Sequence, residues 1–352
     1  MTTTSQPLVS VVVPAHNEAK FLAECIDSIR AQTYSNWECL IVDNCSTDDT
    51  AGIAGRYAAL DPRIRLLQNT ALVRAVPNFN GGLRRISTDS KYCKIVFGDD
   101  MIFPECLERM VALAEEHASI GIVGAYGLQG SDVMWSGLPY PSSVVSGVEM
   151  CRKLFLDGLY VFGTGTSVLF RSEIVRGRDP FYNESNLHCD SEACCDILRT
   201  WDFGFVHQVL TFTRVRAGSL FQFSRERNTF IAGRLYDLVT YGPDCLNPSE
   251  FRTCLNNKLR EYYSFLAAHV IRPYDAAFWE YHRNKLLEAG VGFDRWRLAV
   301  SVLKKTVATI VSPSGTIKRY VERRRLISSR PCSQRDTVSA SLGRAGAGLR
   351  SS

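Results

Sequence analysis

Short apolar runs alternate with amphipathic stretches along the first third of the chain, and this alternation predicts its secondary structure. Residues 8–13 form an apolar run interrupted only by Ser10 and closed by Pro14, as expected of a buried strand. Phe21, Leu22, Cys25, Ile26 and Ile29 then recur at helical spacing. A second strand is predicted at 37–42, ended by Asp43, Asn44 and Cys45. A cluster of capping residues follows, leading into a helix marked by Ile53, Ala54, Tyr57 and Ala58. The same reading predicts strands at 63–67, 92–97 and 120–125 and helices at 77–86 and 104–117. Strands and helices in alternation indicate βαβ units and a mostly parallel sheet, hence an α/β fold with its ligands beyond the carboxyl ends of the strands. Three polar clusters fall at that edge: His16-Asn17-Glu18, Asp43-Asn44 and Asp99-Asp100.

The stretch KYCKIVFGDDMIFP, residues 91–104, carries the sharpest chemistry. Two adjacent carboxylates after a buried strand repel each other unless a cation or hydrogen-bond donors lie between them. Oxygen donors in that setting suit Mg²⁺ or Mn²⁺, which complete their shells with substrate phosphates. A plain Gly-Asp turn accounts for the same residues. Farther on, Asp190 and Glu192 precede a helix predicted at 193–198. Helix capping, worth about 1 kcal/mol, explains that placement, and a general base is the functional alternative.

Beyond Asn228 the pattern becomes helical, with segments predicted from Pro248 through Leu266 and at 274–287. Residues 295–325 mix apolar positions with Lys304, Lys305, Lys318, Arg319, Arg323, Arg324 and Arg325. That pattern reads either as a basic amphipathic element on an anionic membrane face or as a solvated helix packed on the protein body. The expected organisation is a catalytic domain over 1–228, a helical extension over 229–327 and a disordered tail over 328–352. Composition narrows the picture little. The 352 residues carry a formal charge of +5, and 12 cysteines without CxxC spacing do not make a disulfide scaffold. No secretory signal or membrane span is read, so a cytoplasmic protein with reduced thiols is expected, peripheral at the inner membrane face if the basic stretch binds lipid.

Several stretches together resemble the family 2 glycosyltransferases, inverting enzymes of the Rossmann-like GT-A fold. They are VSVVVPAHNEAKFLAECIDSIRAQTYSNWECLIVDNCSTDDT, GDDMIFP and LTFTRVRAGS, and the resemblance covers roughly residues 7–225. It implies that Pro14, His16, Asn17 and Glu18 line a base and ribose pocket, with Asp43 accepting from the uracil ring and Arg74 contacting the base. Asp99 and Asp100 match the family's DxD-type element, Asp99 toward the ribose and Asp100 toward the metal, with Phe97 standing where many members have the first Asp. Asp190 matches the catalytic base, with Glu192 as its alternate, and Arg216 replaces a histidine found near the diphosphate in many relatives. The small residues at 163–167 are expected on the acceptor side.

The resemblance implies a Mn²⁺- or Mg²⁺-dependent transfer of sugar from a nucleoside diphosphate sugar, UDP preferred, to a glycan or lipid-linked acceptor in surface polysaccharide synthesis. The alternative is a non-catalytic nucleotide- or glycan-binding or membrane-associated module of the same fold. A polymerase palm is disfavoured, because helical patterning after Met101 does not suit a strand–turn–strand hairpin and no dense basic and aromatic tract points to nucleic acid. A dinucleotide-binding oxidoreductase is disfavoured by the lack of GxGxxG after the first strand.

Overall fold

The computed structural model describes residues 6–216, 224, 227–270 and 276–311. Ten strands form one sheet: β1 Leu8–Ala15, β2 Trp37–Asp43, β3 Ile64–Gln68, β4 Ser90–Ile95, β5 Met101–Ile102, β6 Ile120–Gln129, β7 Asp132–Met134, β8 Val144–Val145, β9 Val168–Arg171 and β10 Asp202–Thr213. The order along the main path is β3-β2-β1-β4-β9-β6-β10-β5. Pairings β1–β2, β2–β3, β1–β4 and β6–β10 are parallel, while β9 runs antiparallel between β4 and β6. The expected α/β architecture is therefore present as a mixed sheet.

The apolar runs are strands because both faces are covered. Val9, Val11 and Val13 face Leu22, Cys25, Ile26 and Ile29 of helix α1 (Leu22–Arg30) and Met110 of α4 (Cys106–Glu116). Val12, Leu40 and Val42 face the other way, toward Val76 and Leu83 of α3 (Ala75–Leu83). Burying such a side chain fully contributes about 1.5–3 kcal/mol, which outweighs any local preference of these segments. Helix α2 (Thr50–Leu60) joins β2 to β3. Helices α5 (Gly147–Arg152) and α6 (Ser172–Arg176) flank the later strands.

Several boundaries differ from the sequence reading. After the Gly98-Asp99-Asp100 turn the chain does not enter a helix. Met101–Ile102 forms a short strand pairing with β10 rather than with β4, and α4 starts only at Cys106. Helix α7 (Cys189–Ile197) begins four residues before the predicted 193, which places Asp190 and Glu192 inside its first turn.

The helical region contains α8 (Thr229–Cys245), α9 (Pro248–Val270), α10 (Ala276–Glu288) and α11 (Arg295–Val311). One compact unit comprises Met1–Leu259 and Asp275–Phe293, the other Arg260–Tyr274 and Asp294–Ser352. The first unit thus continues past residue 228, where a domain boundary was expected, because α8 packs on α5 and α7. The basic cluster at 318–325, the tail after 328 and residues 217–219 of LTFTRVRAGS lie outside the described residues. Among the described residues no helix is long and apolar enough to cross a membrane.

Candidate active site

Strand order brings the expected donor-site acids to one edge. β1 lies between β2 and β4 and runs parallel to both, so the carboxyl ends of the three strands meet at one edge of the sheet. Ala15 pairs with Asp43 across β1–β2, and the Val96 N–H donates to the Val12 carbonyl at 2.9 Å. The 98–100 turn consequently emerges beside residues 15–18. The two loops pack closely, since a Cβ on Gly98 would sit 3.2 Å from Glu18 Cγ and 3.5 Å from Ala15 Cβ.

Glu18, Asp99 and Asp100 form the acidic heart of this edge. Burial pushes the Glu18 carboxyl up to about 7, aided by the charge of Asp99 and opposed by Arg216. Burial likewise raises Asp100 to about 7, again with Asp99 adding to it, while hydrogen bonds from Thr166 and Arg214 act in the other direction. Desolvation wins in both cases. Asp100, 2% exposed, accepts from Thr166 Oγ1 at 2.6 Å and from the Arg214 N–H at 3.0 Å. Arg216 Nε donates to Asp99 Oδ2 at 2.5 Å, and its second guanidinium nitrogen donates to Glu18 Oε1. The other Glu18 oxygen, Oε2, is buried without a hydrogen-bond partner among the described residues.

This donor set fits a hard divalent cation. All its atoms are oxygens, the carboxylates repel, and one buried oxygen is unsatisfied. Among the described residues no three His, Cys, Asp or Glu side chains are disposed to hold an ion by themselves. An ion held by one or two carboxylates and a diphosphate requires no such trio.

The neighbouring loops form the remainder of the edge. His16 is exposed, and its Nδ1 lies 2.8 Å from the Asn44 carbonyl oxygen, which fixes the ring. Asn17 adopts a left-handed φ of 57°, tolerated best by Asn and Gly, and its Oδ1 accepts from the Thr47 N–H at 2.8 Å. Ser46 links the two loops. Its Oγ accepts from the Asn17 N–H at 2.9 Å, and its own N–H donates to Asp43 Oδ1 at 3.3 Å. Pro14 and Asp43 are buried beneath them. Arg74 follows Val73, whose N–H donates to Asn44 Oδ1 at 3.0 Å and whose carbonyl accepts from Asn44 Nδ2 at 2.7 Å, and is exposed at the start of α3 without an ion pair among the described residues.

Asp190 and Glu192 share a helical turn but face different surroundings. Asp190 accepts the Ser191 N–H at 2.9 Å, and burial raises its carboxyl to about 6. Its charge is the second cause, after burial, that raises the Tyr160 hydroxyl. Tyr160 donates to the Gly163 carbonyl at 2.8 Å. The segment that follows reaches the acids, because Gly165 packs against Phe97 and Thr166 bonds Asp100. The stretch 163–167 thus packs directly on the Gly98-Asp99-Asp100 turn. Glu192 accepts from Asn183 at 3.0 Å, Asn186 at 2.6 Å and Tyr236 at 3.3 Å, and it lines a cavity of about 350 Å³ with Arg178, Phe181, Asp196 and Tyr241. Neither acid acts as a simple N-cap, a position held by His188.

Sequence reasoning missed three groups here. Arg214 joins the site through its N–H on Asp100 and through Nε, which donates to the Asp99 carbonyl at 3.0 Å. Lys94, 0% exposed, donates to the Thr166 and Val168 carbonyls at 2.7 and 3.2 Å and so supports the turn that carries Thr166. A lysine inside an apolar strand was the available signal. The third group lies on α8: Thr229 Oγ1 is 3.0 Å from His188 Nε2, and Ser191 Oγ donates to Asp237 Oδ2 at 2.9 Å.

A mixed sheet flanked by helices, with acids beyond its strand ends, is similar to the GT-A fold. TarS from S. aureus, solved with UDP-GlcNAc, superposes with a TM-score of 0.61 at 15% identity, over 88% of this chain and 92% of that one. The mannosyltransferase PcManGT from Pyrobaculum calidifontis, solved with GDP-Man and Mn²⁺, gives 0.54 at 18% identity, over 88% and 87%. These likenesses establish the fold.

Sequence comparison points the same way. Residues 10–176 match the model described as Glycosyl transferase family 2. EpsE of Bacillus subtilis (strain 168), which bears a glycosyltransferase name, is 37% identical over 156 residues, covering 42% of this chain and 55% of EpsE. The chain spans between 13% and 55% of the length of the curated relatives it is compared with.

Proposed function

We propose that this protein transfers a sugar, with inversion, from a nucleoside diphosphate sugar to an acceptor hydroxyl in polysaccharide synthesis. The observation that carries this reading is the cluster of Glu18, Asp99 and Asp100 gathered with Arg216 beyond β1 and β4, with a further buried carboxyl, Asp190 at about 6, on α7. A base of that strength is ionised at neutral pH yet able to accept a proton as the hydroxyl attacks.

The roles divide by position. Pro14, His16, Asn17 and Asp43 receive the base and ribose, with UDP the preferred donor nucleotide and Arg74 reaching the base. Asp99 and Asp100 would hold Mn²⁺ or Mg²⁺, which when bound supplies positive charge opposite the diphosphate. Asp190 takes the proton from the acceptor oxygen as that oxygen bonds to the anomeric carbon and the bond from that carbon to the diphosphate oxygen breaks. Arg216 meets charge developing on the departing phosphate.

A thermal-shift series of nucleoside diphosphate sugars with and without Mn²⁺ tests the donor. The correct donor at a hundred times its Kd should stabilise the fold by about 2.7 kcal/mol. Asp100→Ala should lower donor hydrolysis about 10²–10³-fold. Equal hydrolysis by both proteins would remove Asp100 from the site.

We further propose that the C-terminal region binds an anionic membrane surface. Trp296, Leu303 and Val307 are 77%, 63% and 49% exposed and share one face of α11, which also carries Arg295, Arg297, Lys304 and Lys305 and no acid. Removing the residues after Arg295 should weaken binding to anionic vesicles, most visibly at low salt. Unchanged binding would exclude the role.

A further inference from the structure

We infer that Arg216 is the resident counter-cation of the carboxylate cluster and that it makes divalent-ion binding depend on the donor diphosphate. The inference deepens the transferase reading and rests on it. The geometry is specific. One guanidinium spans two acids that come from different loops, Asp99 after β4 and Glu18 after β1. Its backbone neighbourhood is pinned by Arg214, whose N–H meets Asp100 Oδ1 at 3.0 Å and whose Nε meets the Asp99 carbonyl at 3.0 Å. Arg214 is itself paired with Glu24 at 2.6 Å. The end of β10 therefore carries a positive charge into the position between Glu18 and Asp99.

A divalent ion approaching Asp99 alone must compete with a charge-assisted hydrogen bond already made there. A diphosphate changes the balance, because its oxygens match the planar fork of a guanidinium and give Arg216 another partner. As Arg216 turns toward phosphate, it leaves Asp99 Oδ2 and Glu18 Oε1 to the incoming ion. The two ligands then favour each other's binding, and by linkage the coupling is the same in both directions. Arg216 thus has two successive partners, the acids in the empty site and the phosphates in the loaded one. The arrangement also keeps Glu18 and Asp99 from facing each other uncompensated before the donor arrives.

The test is calorimetric titration of the full chain with Mn²⁺ alone, with UDP alone and with Mn²⁺ at saturating UDP. It is made on wild type, Arg216→Gln and Arg216→Lys, with melting curves as the folding control. Arg216→Gln should bind Mn²⁺ alone about tenfold more tightly than wild type, and the enhancement of Mn²⁺ binding by UDP should shrink by a similar factor. Arg216→Lys, which keeps the charge, should bind Mn²⁺ alone within about threefold of wild type. Mn²⁺ affinity that is unchanged or weaker in the glutamine variant overturns the inference, since a merely structural arginine would lower metal affinity together with the melting temperature. The donor reading fails separately: wild type that binds no nucleoside diphosphate, with or without Mn²⁺, loses its donor site, while the Mn²⁺-only comparison still decides the role of Arg216.

Discussion

Two regions of the first compact unit hold the proposed chemistry, and they are built on different principles. The edge formed by β1, β2 and β4 is local: Pro14 to Glu18, Asp43 and Gly98 to Asp100 each follow their own strand by a few residues. Once parallel pairing is set, register alone carries them together. The Asp190 region is assembled from distant segments. Helix α7 is held by α8, through Thr229 on His188, Asp237 on Ser191 and Tyr236 on Glu192. Gly233 allows that approach, since a Cβ there would lie 2.5 Å from His188 Cδ2. The comparison predicts that the proposed donor site and the proposed base can be perturbed independently.

The most severe perturbation is Asp190→Asn. Transfer should fall about 10²–10⁴-fold with donor affinity intact. The wild-type rate should rise with pH through about 6, as the carboxyl loses its proton and becomes able to accept one, and that step should vanish in the variant. Loss of donor affinity instead would assign Asp190 to the other region.

Gly233→Ala should act at intermediate strength. The His188 ring must shift to admit the methyl group, costing about 1–3 kcal/mol of stability. Transfer should slow about tenfold or more through misplacement of the base. Nucleotide affinity, measured by titration, should hold. A variant with normal turnover would show that the α7–α8 contact does not position Asp190.

The smallest effect concerns Asp237, which is 3% exposed and has one oxygen, Oδ1, without a partner among the described residues. Burial raises its carboxyl to about 8, with Glu192 and Asp190 adding to the rise. A folded-state value above the unfolded one means that the fold favours the protonated form. Stability should therefore fall as pH rises from about 4 through 8. Asp237→Asn should flatten this slope in melting curves between pH 5 and 8.5 while leaving donor binding unchanged. Parallel curves for the two proteins would mean that Asp237 does not ionise in that window.

What could be read from the chain follows this division. The strand–helix alternation, the mostly parallel first half and the three acid clusters at strand ends were legible because apolar periodicity reports burial and chain order limits topology. The Gly98-Asp99-Asp100 turn was legible in position but not in sequel. Met101–Ile102 joins β10 only because a strand more than a hundred residues away offers it partners. The start of α7 was misplaced for a similar reason. Cys189 is followed in sequence by the polar Asp190, Ser191 and Glu192, and its burial comes from tertiary packing in the apolar core.

By itself, then, the sequence determined most of the strands and helices of the first half and where a cluster of oxygen donors could lie, since those depend on neighbours a few residues apart. Only the tertiary structure decided that Arg216 bridges Glu18 and Asp99, that Lys94 and Thr166 underpin Asp100, and that α8 belongs to the body carrying Asp190. Each of those contacts joins residues far apart in the chain, and their energies exist only once the sheet has brought the partners within hydrogen-bonding distance.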